Sequence, residues 1–278
     1  AKAAEVIVDI AHSTPDGFGN LRLTVLANCE PGSPFFPVSY HRGPETRFSI
    51  ATEAADLAVE AFAQAGGLRE ARAALEEAIE RKARTIEEIC RGLEDDFDLC
   101  FGGIDFSLAP FPETARSIGH AIEKLGVDGF GSSGTLFAVA FIKRAIDAAE
   151  FTRCGFSGVM LPVLEDATLA ERSAENLFSL DSLLLYSTVC GTGLDTIPLP
   201  GDVTVEEVSS MLLDVATLSL VADKPLTARL MPIPGKEAGE MTSFDFPYFA
   251  NARIVAVKGR GAGSILERDA FLRYQRPD

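Results

Sequence analysis

Basic residues are scarce in this chain. Its 278 residues include 25 lysines and arginines against 41 aspartates and glutamates, which gives a net charge of −16 and an isoelectric point near 4.6. A protein that binds nucleic acid needs a basic surface to neutralise the phosphates, so this balance argues against nucleic acid as the main partner. A strong negative charge is instead typical of a well-dispersed cytosolic protein.

The sequence also lacks long apolar runs, a secretion signal and paired cysteines. No stretch approaches the roughly 18 apolar residues of a membrane span, and the first residues lack the basic-then-apolar pattern of a signal peptide. The five cysteines are odd in number and widely spaced, with no C-x-x-C pair. That spacing argues against a disulfide framework and against a zinc site. We therefore expect a cytoplasmic protein with reduced thiols and no membrane partner.

Length and composition are sufficient for a large core. The chain is 47% hydrophobic, and a protein of this size buries roughly 75% of its unfolded surface. No period of about 20 to 50 residues recurs, which argues against a solenoid. Residues 1–10 have the pattern of the middle or end of an amphipathic helix, without a starting Met or an N-cap. We expect a single domain over residues 1–278 that lacks an N-terminal portion of the full protein.

The order of the predicted elements indicates an α/β protein. Alternating or short continuous apolar patterns predict strands, and apolar residues three, four and seven apart predict helices. The predicted strands cover residues 21–27, 101–109, 158–164, 226–233, 244–249 and 253–257. The predicted helices cover residues 52–65, 68–93, 113–125, 135–149, 171–178, 182–189 and 205–221.

A turn around residues 189–202 brings a thiol and a carboxylate together between ordered elements. Cys190 is a candidate nucleophile, and Asp195 is a candidate nucleophile or general base. A thiolate nucleophile is favoured by a nearby base or a helix N-terminus, whereas Cys190 follows a predicted helix and lies at the opposite end of its dipole. A buried thiol with a packing role is therefore the alternative.

Further acidic residues follow predicted strands or lie within them. Glu165 and Asp166 come directly after a predicted buried strand, and Asp105 lies on another. Clustered carboxylates can hold Mg²⁺ or Ca²⁺ or act as general acids and bases. We expect Glu165 and Asp166 to be metal ligands or substrate contacts and Asp105 to be catalytic. For Asp166, an N-cap of the following helix is the alternative.

Candidate groups for binding an anion lie in three places. Residues 129–134 match G-x-G-x-x-G, but no full strand precedes them, so a nucleotide-binding fold is rejected. Small residues that lead into a helix expose amide groups that suit a carboxylate or phosphate, and a simple tight turn is the alternative. Arg229 lies among apolar residues, so it must pair with an internal acid or meet an anionic ligand. The predicted ligand-binding residues are Asn28, Ser132, Ser133, Gly134, Thr135 and Arg229.

One histidine follows a loop that is rich in proline. His41 lies just after three prolines that fix an extended chain, and we expect it to carry a proton in catalysis.

Several of these stretches together resemble the domain-of-unknown-function 711 family, also called uncharacterised protein family 0210. The matching segments are residues 27–28 with the loop to His41, residues 105–110, residues 155–166, residues 190–197 and residues 233–236. The resemblance implies a fold similar to pyruvate formate-lyase, a ten-stranded α/β barrel of two parallel half-sheets set antiparallel, here with peripheral helices. It also implies an N-terminal region ahead of the first motif.

Two departures limit what this resemblance implies for chemistry. A glycyl-radical enzyme needs an Arg-Val-x-Gly-aromatic stretch, whereas the tail reads Arg260-Gly261-Ala262-Gly263, so a radical role for Cys190 is not expected. The family carries a histidine in the loop that here reads Gly131-Ser132-Ser133-Gly134-Thr135. A histidine-based role for that loop is therefore excluded in this chain.

Two functions from different classes follow from these residues. The first is a cytosolic enzyme that acts on a small anionic metabolite in the mouth of the barrel. The second is a non-catalytic ligand-binding or regulatory protein in which the same turns cap helices and line a subunit contact. Both interpretations are compatible with a homo-oligomer, because the predicted helix at residues 68–93 has the length to pack against a second copy.

Overall fold

Strands and helices are interspersed along the chain. The computed structural model describes residues 1–34 and 42–262. Within these ranges the strands are β1 (Val25–Ala27), β2 (Arg47–Ala51), β3 (Cys100–Asp105), β4 (Gly193–Pro200) and β5 (Leu226–Ile233). The helices are α1 (Lys2–Ala11), α2 (Ala55–Ala63), α3 (Leu68–Phe97), α4 (Ile118–Lys124), α5 (Thr135–Ala148), α6 (Ala167–Ala174), α7 (Leu180–Cys190) and α8 (Val205–Ala222). The mixed α/β class is confirmed.

The strands form two small sheets. In the first, β5 lies between β4, to which it is parallel, and β1, to which it is antiparallel. In the second, β2 and β3 are parallel. All residues of β4 and β5 are buried, as expected for a parallel pair covered on both faces. Their sequences are apolar except for Gly193 and four buried polar or charged residues, Asp195, Thr196, Thr227 and Arg229.

Residues 153–163 link the two sheets without forming a regular strand. Isolated parallel bridges join Arg153 to Ile104, Val159 to Leu108, and Pro162 to Asp195. The strand predicted at residues 158–164 is thus reduced to separate contacts, because Ser157 has a left-handed φ of 42° and Pro162 has no amide hydrogen to donate. The chain segments nevertheless follow one spatial order, β2, β3, residues 153–163, β4, β5 and β1.

The helices pack around these strands. Helix α3 spans 30 residues and ends at Phe97, four residues beyond the predicted end at residue 93, because the following Asp98 has a left-handed φ of 52°. The helix predicted at residues 113–125 is broken into a 3-10 turn, Thr114–Arg116, and α4, because Ser117 is extended and caps α4 with its side chain. No helix within residues 1–34 and 42–262 has the length and apolar character to cross a membrane.

Three further predicted strand regions are wrong in whole or in part. Residues 244–249 and 253–257 are irregular, and within the described part of the chain one bridge, between Met241 and Arg253, lies beside them. The phenylalanines that suggested a strand instead form a cluster with Phe18, whose ring lies 5.0 Å from that of Phe246. Residues 21–24 lie outside β1, since Leu21 belongs to the 3-10 turn Phe18–Arg22.

Candidate functional site

A cavity of about 280 Å³ opens at the carboxyl ends of β2 and β3. This is the edge of a parallel sheet at which α/β proteins place their ligands. Its polar wall consists of Thr52, Glu53, Asp105, Ser107, Glu165 and Arg229. Its apolar wall consists of Leu21, Ala51, Ala109, Pro110, Phe111, Pro112, Met160, Phe246 and Tyr248. Three residues predicted from the sequence, Asp105, Glu165 and Arg229, therefore share one cavity.

Arg229 connects two acids at the back of this cavity. Its side chain is 4% exposed, and its Nε donates a hydrogen bond to Asp195 Oδ1 at 2.6 Å. Its Nη2 lies 3.0 Å from Glu165 Oε1. The sequence left open whether Arg229 pairs with an internal acid or with an anionic ligand. In the structure it pairs with two internal acids, because a buried guanidinium needs a partner of opposite charge.

Glu165 is held in an environment that opposes its ionisation. Its side chain is 22% exposed, and burial raises the pKa of its carboxyl from 4.5 to about 8. The charge of Arg229 acts in the opposite direction, while the negative charges of Asp195 and Glu53 raise the pKa further. A carboxyl group that is protonated at neutral pH and lines a cavity can donate a proton to a bound molecule.

Asp195 occupies a bulge of β4. The pairing of β4 with β5 shifts register between Leu194 and Ile197, which places Asp195 and Thr196 in the irregular part of the strand. Thr196 has a φ of 41°, which is unfavourable for a β-branched residue. Asp195 Oδ2 and Thr196 Oγ1 are buried without a hydrogen-bond partner among the described residues. Strain and unsatisfied polar atoms at one point of a buried strand are typical of functional positions.

The Asp105 carboxylate is fixed by a turn on the facing segment. Ser107 Oγ donates to Asp105 Oδ1 at 2.6 Å, and the amides of Ser157 and Phe156 donate to its two oxygens at 2.7 and 2.8 Å. Burial raises the pKa of Asp105, although these hydrogen bonds favour its charged form. Gly155 has a φ of 59°, and a Cβ there would lie 2.2 Å from Asp105 Oδ2. Only glycine therefore fits beside this carboxylate.

Asp166 lies next to Glu165 in sequence but has a different role. Its side chain caps α6 through the Leu169 amide at 2.9 Å and also accepts from the Ile118 amide of α4 at 2.7 Å. The Gly119 amide and the Ser117 hydroxyl donate to it as well. The capping alternative is thus observed, and both carboxylate oxygens are already hydrogen-bonded. No group of three or more potential metal ligands occurs within residues 1–34 and 42–262.

Cys190 is the last residue of α7 and is fully buried. The amides of Thr192 and Gly193 point at its sulfur, at 3.4 and 3.3 Å. The thiol does not line the cavity described above, although Asp195 lies only five positions further along the chain. The structure therefore does not bring Cys190 into the cavity with Glu165 and Arg229.

The predicted anion-binding turn also lies apart from this cavity. Thr135 begins α5 and is buried, and its hydroxyl donates to Ser132 O while accepting from the Gly131 amide. Ser133 and Gly134 are exposed, and none of these residues lines the cavity. The contacts of Thr135 agree with the alternative of a tight turn.

The other two predicted residues are not brought to the cavity either. Asn28 follows β1 in a left-handed conformation and is exposed. It is absent from the residues that line the cavity. His41 lies outside the described residues.

Three polar lining residues, Thr52, Glu53 and Ser107, were missed by sequence reasoning. Ser107 lies two positions after Asp105 and faces the same side of the chain, so its period-two spacing was an available signal. Glu53 comes after β2 and had no such signal, because β2 itself was not predicted.

These features define a mixed α/β protein with a buried arginine that bridges two acids beside a polar cavity. A sequence profile of the family described as "Uncharacterised ACR (DUF711)" matches residues 1–256. A UPF0210 protein of Pyrobaculum aerophilum is 36% identical over 230 residues, which cover 79% of this chain and 51% of that protein. A UPF0210 protein of Desulforudis audaxviator is 32% identical over 276 residues, which cover 95% of this chain and 60% of that protein.

The chain belongs to this uncharacterised family, as the sequence motifs predict. A UPF0210 protein of Clostridium perfringens is 27% identical over 248 residues, 86% of this chain and 55% of that protein. The chain thus spans between about half and three fifths of the length of the curated relatives it matches.

Proposed function

We propose that this chain carries the pocket of an enzyme that performs general acid–base chemistry on a small anionic metabolite. The observation that supports it best is the position of Glu165. Its carboxyl group, with a pKa raised to about 8, lines a cavity and lies 3.0 Å from Arg229 Nη2. Glu165 would donate a proton to the bound molecule, and a raised carboxyl pKa near the working pH suits that task.

The anionic substrate would bind to Arg229, the basic residue among those that line the cavity. With Glu165 protonated, Arg229 and Asp195 form a neutral pair, and the back wall offers the guanidinium and an acid O–H as donors. Asp105, held on the facing wall by two amides and Ser107, would accept a proton or orient a hydroxyl group. Asp195 would position Arg229. The proposed proton carrier His41, the nucleophile Cys190 and the binding residues Asn28 and 132–135 stay predictions.

We also propose that the strands belong to a ten-stranded barrel like that of pyruvate formate-lyase. The parallel order β2, β3, residues 153–163, β4 and β5 would make one half-sheet, and the antiparallel β1 would begin the other. Barrel closure would pair the edges of β2 and β1 that have no strand neighbour among the described residues. The chain would then form a single barrel domain, with the cavity in the barrel mouth and the protein in the cytoplasm.

A divalent cation is a separate proposal that rests on Glu165. Mg²⁺ or Ca²⁺ prefers several oxygen ligands, and the neighbouring Asp166 is saturated by hydrogen bonds. Binding of either ion would require Glu165 to ionise and leave Arg229. Calorimetric titration of the protein with MgCl₂ and with CaCl₂ tests this proposal.

The alternative is a non-catalytic ligand-binding or regulatory oligomer. The pairing of Arg229 with Asp195 favours it, since buried ion pairs also serve structure alone. Mass spectrometry of the native protein would identify co-purified molecules, and a metabolite screen would then measure turnover. The enzyme proposal expects Glu165→Gln to abolish turnover while its melting temperature at pH 5 stays similar to that of the wild type, and it expects Glu60→Gln, an exposed change on α2, to have no effect. Binding without turnover in the wild type would support the alternative.

A further inference from the structure

The apolar face of α3 continues beyond the core that covers it. In the first part of the helix, Leu75 and Ile79 are fully buried. The same side of the helix then carries Ile89, Leu93 and Phe97, spaced by four residues, with exposures of 61%, 37% and 64%. Three large apolar side chains in one row on a 30-residue helix form an exposed stripe rather than scattered surface residues.

The charges at the two ends of this stripe differ in sign, while Glu87, Glu88 and Arg91 lie between the ends. Arg81, Lys82 and Arg84 precede it, whereas Glu94, Asp95 and Asp96 lie at its end. A second α3 in parallel orientation would place like charges opposite each other. In antiparallel orientation, the basic end of each helix would face the acidic end of the other.

The antiparallel arrangement defines which residues of the two α3 helices lie opposite each other. With a two-fold axis at Ile89, this residue meets its own copy, Lys82 lies opposite Asp96, and Arg81 lies opposite the ring of Phe97. An isologous contact contains the Lys82–Asp96 and Arg81–Phe97 pairs twice, whereas the pair of Ile89 residues on the axis occurs once. Leu93 then faces Thr85, an exposed residue that leaves space for it.

We propose that residues 81–97 of α3 bind the same segment of a second copy of this chain, antiparallel and centred on Ile89. The contact goes beyond the proposed enzymatic function, because none of its residues lines the cavity of Glu165. It buries the stripe of Ile89, Leu93 and Phe97 in a coiled contact of about 25 Å, since each helical residue rises about 1.5 Å.

Analytical ultracentrifugation of the chain tests the contact. We expect a dimer for the wild type and a monomer for Ile89→Asp, with an unchanged far-UV circular dichroism spectrum because the side chain is exposed in the single chain. Lys82→Glu and Asp96→Lys should each weaken the dimer about threefold or more, and the double variant should restore it. A monomeric wild type, a dimer that survives Ile89→Asp, or a double variant no tighter than the single ones would overturn the proposal.

Cross-linking tests the register separately. Ile89→Cys should form a covalent dimer under mild oxidation, because the two-fold axis brings residue 89 next to its copy. Arg91→Cys on another side of the helix is the matched control and should not cross-link above the wild type, which contains the five native cysteines. Equal cross-linking of the two variants would refute the register.

Discussion

Replacing Glu165 by glutamine should change how the stability of the protein depends on pH. Burial raises the pKa of Glu165 from 4.5 to about 8, so the folded protein holds this proton more tightly than the unfolded chain does. The proton then stabilises the fold below the unfolded pKa, and this stabilisation is lost as the pH rises through the folded pKa. Glutamine keeps the shape of the protonated acid and cannot ionise.

The size of the stability difference follows from the interval between the unfolded and the folded pKa of Glu165. Between about pH 4.5 and pH 8, ionisation of Glu165 removes up to about 1.4 kcal/mol of stability per pH unit. The wild type and Glu165→Gln should therefore have similar stability near pH 5. By pH 8.5 the variant should be more stable than the wild type by on the order of a few kcal/mol.

Urea unfolding at pH 5, 6, 7 and 8.5 measures this difference directly. Other groups that titrate in this range affect both proteins, so the difference between the two curves isolates residue 165. Glu60→Gln, an exposed change on α2, should follow the wild type at every pH. A constant difference between the wild type and Glu165→Gln from pH 5 to pH 8.5 would refute the inference that Glu165 is buried as a neutral acid.

Three further changes test the scaffold of the site. Gly155→Ala should lower the free energy of unfolding in urea by about 1–3 kcal/mol more than Gly126→Ala does. Both glycines have positive φ, but only a Cβ at residue 155 would meet a carboxylate. Asp195→Asn should lower the pKa of Glu165, because it removes a negative charge that raises it; an unmoved carboxyl signal in an NMR titration would contradict this. Asp166→Ala should lower the free energy of unfolding by at least about 2 kcal/mol, because it removes the cap of two helix ends. A loss within the error of the melting measurement would exclude this capping role.

The predicted elements that proved correct are those with a strong local pattern. Strand β5 is apolar except for Thr227 and Arg229, and its bounds agree with the prediction of residues 226–233. Helix α8 begins at Val205 as expected, with Thr204 and Glu207 forming a capping box. Such local patterns remain predictive because they do not depend on the rest of the fold. A strand that is buried on both faces needs apolar residues, and a helix end needs a capping residue, in any tertiary context.

The elements that were missed depend on partners far along the chain. Strand β2 is half-buried and pairs with β3, about 50 residues away, so its own residues carry little pattern. Residues 158–164 look like a strand, but the turn that holds Asp105 and the proline at 162 interrupt the ladder. No local signal distinguishes an uninterrupted buried strand from one bent around a carboxylate.

The sequence predicted that acidic residues and Arg229 form the site, but it did not predict which of them pair. The sequence required a partner for Arg229 and left open whether it was an acid or a ligand. The choice of Asp195 depends on the register of β4 against β5 and on the bulge between them. The raised pKa of Glu165 could not be predicted either, because desolvation arises from groups brought together only by folding.

The carboxylate of Asp166 joins the beginnings of two helices that are about 50 residues apart. Its oxygens accept from the amides of Ile118 and Gly119 at α4 and from that of Leu169 at α6. A proton on any of these amides can exchange with solvent only after this one carboxylate has moved away. The three amides should therefore share one free energy of opening, as a single opening unit. Because Glu165 is the adjacent residue, the hydrogen bonds of Asp166 also anchor the chain beside the acid of the cavity.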